Sequence, residues 1–266
     1  MSSAAHLVAY LETLDASSGY TGIAALADTY CVANGTSSLI PRDAMLLAAY
    51  LGGAGLLRGR VQAPSLLRVA YPHLTPFQAT IATATGLSRV TDFSRRPPRL
   101  VGGEGVSVAV ENGGAVATLA LLLLGFDMQP APPGEAFLLR YMASGILASA
   151  NVWSPFTTES GDVVWETSLP AGTYAILAMD HWGTTALAAR AILQNSKTRP
   201  GVPARTSATA AWLDPLFTDG RLGILGYFTN WQMPGIDVLC SAADTAFEGR
   251  MLVVRIGGTD AMPSGR

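Results

Sequence analysis

Side chains able to carry acid, base or metal chemistry are few in this chain. The histidines are His6, His73 and His181, with no HExxH and no pair at ligand spacing, so no metal site of the usual kinds is expected. Cys31 and Cys240 lie far apart with no CxxC spacing and read as two buried free thiols. The nearest approach to a catalytic set is Glu159, Asp162 and Glu166 with Asp180-His181. Two carboxylates held ~5 to 10 Å apart across a cleft can hydrolyse a glycosidic bond. Asp162 and Glu166 share a face only in an unbroken strand, and the favoured reading is a solvated strand edge whose charges discourage stray pairing. There is no GxSxG elbow, and the glycine clusters Gly52 to Gly59 and Gly220 to Gly226 lack the Lys-Ser/Thr of a phosphate loop. No catalytic residue, metal or cofactor is assigned, and a non-enzymatic protein is expected.

Binding chemistry is better represented. His181-Trp182 could stack on a ligand, although a tryptophan at a strand end more often packs on a core. Trp212, Phe217, Tyr227, Phe228 and Trp231 follow one another through a long loop and the strand after it, with Arg199 at the start of that loop. Exposed, they would be interface anchors; buried, they would close one end of a sandwich. The segment 58–103 holds Arg58, Arg60, Arg68, Arg89, Arg95, Arg96 and Arg99 against Asp92 alone. Such a basic patch permits weak, non-specific, salt-sensitive nucleic-acid contact. The alternative is pairing with acids elsewhere in the fold or in a neighbouring subunit.

The elements that must position these residues are constrained by composition. The 266 residues are 49% hydrophobic but only 14% charged, where roughly 25% is usual in a soluble domain. Disorder is excluded. The longest apolar run, Ala115 to Phe126, is 12 residues, short of the about 20 that a spanning helix needs, so no transmembrane segment is expected. The N-terminus does not read as a signal peptide. A surface so poor in charge is expected where other chains cover it.

Along the chain, Leu7, Tyr10, Leu11 and Leu14 fall at helical spacing, and Pro41-Arg42-Asp43 before AMLLAAYL reads as a helix start. Residues 1–56 are therefore expected to form a short helical arm. Prolines at 64, 72 and 76 then argue for edge strands and loops. Val106, Val108 and Val110 alternate before Asn112-Gly113-Gly114, which predicts a hairpin returning along Ala115 to Leu124. After a linker at Pro130 to Gly134, strand-like runs recur at 137–142, 163–169, 172–179, 186–193, 225–231, 236–242 and 250–256. The expected fold is mainly β, a jelly-roll β-sandwich, with two small modules (57–130 and 131–258) favoured over one and a flexible tail at 259–266. Gly103-Glu104-Gly105 and Gly134-Glu135-Ala136, each opening a strand, form a faint internal echo.

LPAGTYAILAMDHWGTTALAARAIL, TRPGVPA and GYFTNWQMPGIDVLCSAADTAFEGRMLVVRIG together resemble the C-terminal part of jelly-roll capsid proteins, and are most similar to those of tailless icosahedral viruses of bacteria. The likeness spans 166–257: a Leu169 to Gly172 turn opening a central strand, an Arg199 to Gly201 loop, and Pro234 before the strand Ile236 to Leu239. It implies a structural subunit that self-assembles into a capsid shell, made in the host cytoplasm and residing in the virion. Its partners would be copies of itself and other capsid proteins. A strongly basic N-terminal arm is absent, which argues against direct genome condensation. The rival expectations are a ligand- or carbohydrate-binding sandwich using Trp182, Trp212 and Trp231, and a hydrolase using Glu159, Asp162 or His181.

Overall fold

The computed structural model describes residues 4–53, 56–68, 76–78, 90–114, 116–144, 150–156, 161–194, 196–205, 220–242 and 246–258. In the N-terminal half the strands are β1 (Ala4–Leu14), β2 (Ser17–Gly22), β3 (Val32–Asn34), β4 (Ser37–Leu39), β5 (Ala44–Gly52), β6 (Leu56–Gln62), β7 (Pro76–Gln78), β8 (Val90–Asp92), β9 (Arg99–Leu100), β10 (Gly105–Asn112) and β11 (Val116–Phe126). One five-residue helix, α1 (Pro64–Arg68), sits between β6 and β7. The C-terminal half holds β12 (Ala136–Ser144), β13 (Trp153–Phe156), β14 (Val163–Trp165), β15 (Gly172–Gly183), β16 (Ala186–Ile192), β17 (Gly201–Pro203), β18 (Gly226–Thr229), β19 (Gly235–Cys240) and β20 (Ala246–Gly258). The chain is mainly β, with every named strand pairing antiparallel.

Four sheets result. The first runs β1-β11-β5-β8, with β9 also on β5; the second runs β3-β4-β10-β6-β7, with β2 also on β10. The third runs β14-β12-β20-β15-β18 and the fourth β13-β19-β16-β17. Each pair of sheets draws on one half of the chain, and the order repeats. In both halves the first strand neighbours the last, which neighbours a middle strand. The penultimate strand lies at the centre of the other sheet.

The expected helical arm is not there. Residues 4–14 and 44–52 are strands of the first sheet, paired with β11 on its two sides. The helical spacing misleads because β1 is buried on both faces. Val8, Tyr10 and Leu14 enter the core of the N-terminal half, while Ala5, Leu7 and Ala9 pack against the C-terminal half. An unbroken apolar stretch carries no period-2 signal, so it cannot be told from a helix by periodicity.

The same geometry explains the 12-residue apolar run. In β11, Ala120, Leu122, Leu124 and Phe126 face one core, and Leu119, Leu121 and Leu123 face the other. The predicted hairpin is also corrected. Asn112 to Gly114 does turn, with the Gly114 N–H donating to Asn112 Oδ1 at 3.0 Å, yet β10 and β11 belong to different sheets. The turn carries the chain from the second sheet to the first. Strand β10, buried mainly on alternate positions, suits an outer sheet, whereas β11 needs cover on both sides.

Pro64 opens α1 rather than an edge strand, since a first-turn proline forgoes no helical hydrogen bond. The glycine-glutamate echo precedes β10 in one half and β12 in the other, which hold different places in the repeated order, so it marks no equivalence. The 259–266 tail lies outside the described residues.

If β11 is a wall between two cores, adjacent truncations along it should cost alike. Leu121→Ala and Leu122→Ala are each expected to destabilise by about 2–5 kcal/mol. Urea denaturation checks this; a cost confined to one of them would mean one face is not packed.

Candidate functional site

The side chains that converge most closely lie where the two halves meet. On the fourth sheet, Arg190 of β16 is the direct cross-strand partner of Asp237 of β19. Only 2% of the Arg190 side chain is exposed, and Asp237 is fully buried. Arg190 Nη2 and Nε donate to Asp237 Oδ2 at 2.6 and 3.2 Å, and Arg199 Nη1 donates to the same oxygen at 2.5 Å. Arg190 Nη1 reaches the N-terminal half, donating to Asp28 Oδ2 and to the Leu7 carbonyl at 3.2 Å. The guanidinium lies 3.8 Å from the centre of the Trp153 ring.

Asp28 sits in the loop before β3, and its Oδ1 is saturated. It accepts from the Tyr30 and Cys31 N–H groups at 2.7 and 3.0 Å and from His6 Nε2 at 3.1 Å. Burial pushes the Asp28 carboxyl up, but the His6 hydrogen bond, the Arg190 charge and the Tyr30 N–H together hold it below the usual carboxylate range. His6 Nδ1 accepts from the Arg199 N–H at 2.9 Å. Burial drives the His6 pKa down; Asp28 opposes this, while Arg190 and Arg199 add to it. With Asp28, Asp237, Arg190 and Arg199 charged and His6 neutral, the seam carries no net charge. It is a buried ion cluster binding the two halves.

The other predicted chemistry is dispersed. Asp180 and His181 lie on opposite faces of β15. Asp180 Oδ2 pairs with Arg205 at 2.5 Å and with Arg250 at 3.5 Å. His181 is buried, its Nδ1 2.7 Å from the Tyr141 hydroxyl and its ring stacked on Phe247; desolvation pushes its pKa down to about 3. Glu166 pairs with Arg140 at 3.6 Å. Glu159 and His73 lie outside the described residues. Among the described residues, no three His, Cys, Asp or Glu side chains gather as a metal site. Leu7, Tyr50, Leu121, Leu123 and Pro203 line a narrow, mainly apolar seam too tight to hold a water molecule.

The aromatic candidates separate. Phe228 is buried in the core, stacked on Tyr174, so it is a core residue and not an exposed anchor. Tyr227 is half-buried against Ala175, Leu177 and Val254. Trp231 is 63% exposed in the turn after β18. Arg199 is a seam residue, tied to Asp237. Trp212 and Phe217 lie outside the described residues. Trp182 is buried, flanked by Arg205 and Arg250 at 5.2 and 5.1 Å, which removes it as a stacking platform.

Of the basic patch, Arg58 and Arg60 lie over the Tyr20 ring, Arg58 also pairs with Glu111, and Arg99 pairs with Asp43. Arg95 and Arg96 are exposed after β8. Arg68 ends α1, and Arg89 lies outside the described residues.

Among the described residues, an open apolar surface lies on the outer face of the third sheet, where Leu138 (59% exposed), Met142 (44%) and Val164 (58%) project. Met142 stands directly opposite Val164, and Leu138 opposite Leu252. Between them run Arg140, Glu166 and Glu248, with Arg140 to Glu248 at 2.9 Å; Arg205, Arg250 and Asp180 continue the row. Three arginines meet three acids, so this face is electrically balanced.

No protein-family model matches the chain, and neither a curated protein nor a solved structure matches it.

Sequence reasoning missed Asp28, Arg190 and Asp237. For Arg190 and Asp237 the signal was a single charge inside an apolar strand, ALAARAIL and IDVLCSA, whereas Asp28 lies in a loop and carried none. Removing Arg190 leaves buried Asp28 without a cationic partner and buried Asp237 with Arg199 alone, so Arg190→Ala is expected to cost about 3–5 kcal/mol. Denaturation at low and high salt checks this. The cost should barely change with salt, as screening requires exposure.

Proposed function

We propose that this chain is a structural subunit that assembles with copies of itself into a closed shell of capsid type, each half of the chain being a jelly-roll sandwich. The repeated strand order carries the reading. A jelly roll places eight strands in two facing sheets through two Greek keys. The orders β1-β11-β5-β8 facing β4-β10-β6-β7, and β12-β20-β15-β18 facing β13-β19-β16-β17, both fit that connectivity. The capsid resemblance over 166–257 falls almost wholly within the second of these.

The third sheet's outer face supplies the contact with a second copy. Its exposed Leu138, Met142 and Val164 offer apolar area, and its balanced charge lets like faces approach without net repulsion. Trp231 adds an exposed aromatic anchor. The described arginines of 58–103 direct much of their charge to Tyr20, Glu111 and Asp43, which leaves a weak, non-specific role toward nucleic acid. Other capsid proteins and residence in the virion complete the reading. The rival ligand-binding sandwich rests on Trp231, and a glycan array without hits removes it.

Sedimentation velocity and electron microscopy of the purified chain test the proposal. Particles far larger than the 27.7 kDa subunit are expected, and a clean monomer at high concentration overturns it. Combining Leu138→Asp with Val164→Asp should raise the assembly threshold at least about tenfold, equivalent to ~1.4 kcal/mol per contact. Assembly unaffected by that pair would move the contact to another face.

A further inference from the structure

The geometry points to His6 as an acid-operated latch between the two halves of the chain. Its imidazole is held on both nitrogens at once. Nδ1 accepts a hydrogen from the Arg199 backbone N–H, which belongs to the C-terminal half, and Nε2 faces the Asp28 carboxylate of the N-terminal half. Asp28 can only accept, so Nε2 carries the proton and Nδ1 must be bare. An imidazolium has no bare nitrogen. Protonation would turn the Nδ1 contact into two donors facing each other at 2.9 Å.

The groups facing the ring define its response. From the loop after β2 come Asp28 and the Tyr30 ring, 5.3 Å away. Arg190 comes from β16 and Arg199 from the segment before β17, while Asp237 of β19 acts through both arginines. Leu124 of β11, the cross-strand neighbour of His6, is apolar. The one carboxylate touching the ring is already committed to Arg190 and to two backbone N–H groups. The arginines repel an added proton, and the ring is fully buried.

Neighbouring backbone bonds make the latch cooperative. The Leu7 N–H donates to the Arg199 carbonyl at 3.0 Å, and the Ala5 N–H donates to the Leu225 carbonyl at 2.7 Å. Turning Arg199 away from the ring pulls on the first of these and on the Arg190 bond to the Leu7 carbonyl. The edge of β1 at Leu7 is thus closed by contacts to Arg199, the residue whose N–H also rests on the titrating His6 ring.

The sign follows from where the proton goes. His6 released from the seam titrates near 6.5, whereas in the seam it stays neutral to lower pH. The closed state is fully favoured above about pH 6.5 and loses ground as pH falls from there toward the depressed value. At one proton per opening, the opening equilibrium rises about tenfold per pH unit in that window. Asp28, held below its usual range, begins to contribute only under more acidic conditions.

Hydrogen exchange on the full-length chain at one fixed assembly state tests the latch. Peptides covering 4–14 and 196–205 are followed at pH 7.5, 6.5 and 5.5, with rates corrected for intrinsic pH dependence. Protection in both should fall together, about tenfold per pH unit below 6.5. His6→Asn keeps an acceptor at the Nδ1 position and His6→Gln keeps a donor at Nε2, and in both the pH dependence should flatten. Buried His181, in the C-terminal core, is the internal control, because it would act on peptides covering 136–144 instead. Should both variants fail to fold, 15N spectra of the wild-type imidazoles decide, with His6 expected as the Nε2–H tautomer at pH 5.5. Seam protection that ignores pH, or a pH dependence surviving intact in both variants, overturns the latch. Neither result bears on shell assembly, which is read by sedimentation.

Discussion

The free edge of β1 is the constraint on which the rest of the molecule depends. One side of the strand is paired along its whole length with β11. On the other side, polar backbone groups at Ala5 and Leu7 must find partners, because a buried peptide group without one is costly. They find them at Leu225, Arg199 and Arg190, all in the C-terminal half. Meeting these bonds fixes how closely the second half approaches, and that approach buries the outer face of the first sheet. Exposed sheet edges invite pairing with other chains; here the protein pairs its own edge internally.

Electrostatics at the seam follow from that approach. Arg190 points its nitrogens in three directions, to Asp237, to Asp28 and to the Leu7 carbonyl, while its flat face lies over Trp153. A planar guanidinium can do this, whereas an ammonium on a flexible stem cannot. The sixteen arginines against a lone Lys197 thus have one concrete structural use. Asp237 completes the cluster unevenly. Its Oδ2 receives both arginines, and its buried Oδ1 has no partner among the described residues.

The β character of the C-terminal half was legible because its apolar runs carry Val, Ile, Tyr and Trp and are punctuated by glycine and proline. In the N-terminal half the composition misled. Ala and Leu dominate β1, β5 and β11, and strands buried on both faces lose the alternation that would have marked them. Asn112 to Gly114 was legible as a turn but not as a crossing between sheets, since a local sequence does not say which sheet its flanks join. At the candidate sites, two of the scattered acids, Glu166 and Asp180, are taken up by Arg140 and Arg205 rather than brought together. The seam stayed hidden because Asp28, Arg190 and Asp237 are far apart in sequence and meet only through packing. Phe228 and Trp231, three residues apart, were indistinguishable by type; one fills the core and the other faces solvent.

The position of the last strand in each half bears on how the chain is made. Both β11 and β20 are interior strands, each inserted between the first strand of its half and a middle one. During synthesis β1 therefore waits for about a hundred residues before its partner exists, and β12 waits likewise. Until the second half is complete, the apolar outer face of the first sheet has nothing to cover it. Long-range pairing of this kind folds slowly and leaves sticky intermediates. The molecule therefore passes through its most aggregation-prone form when it is only half built, and ribosome pace and chaperone access become part of what its architecture demands of a cell.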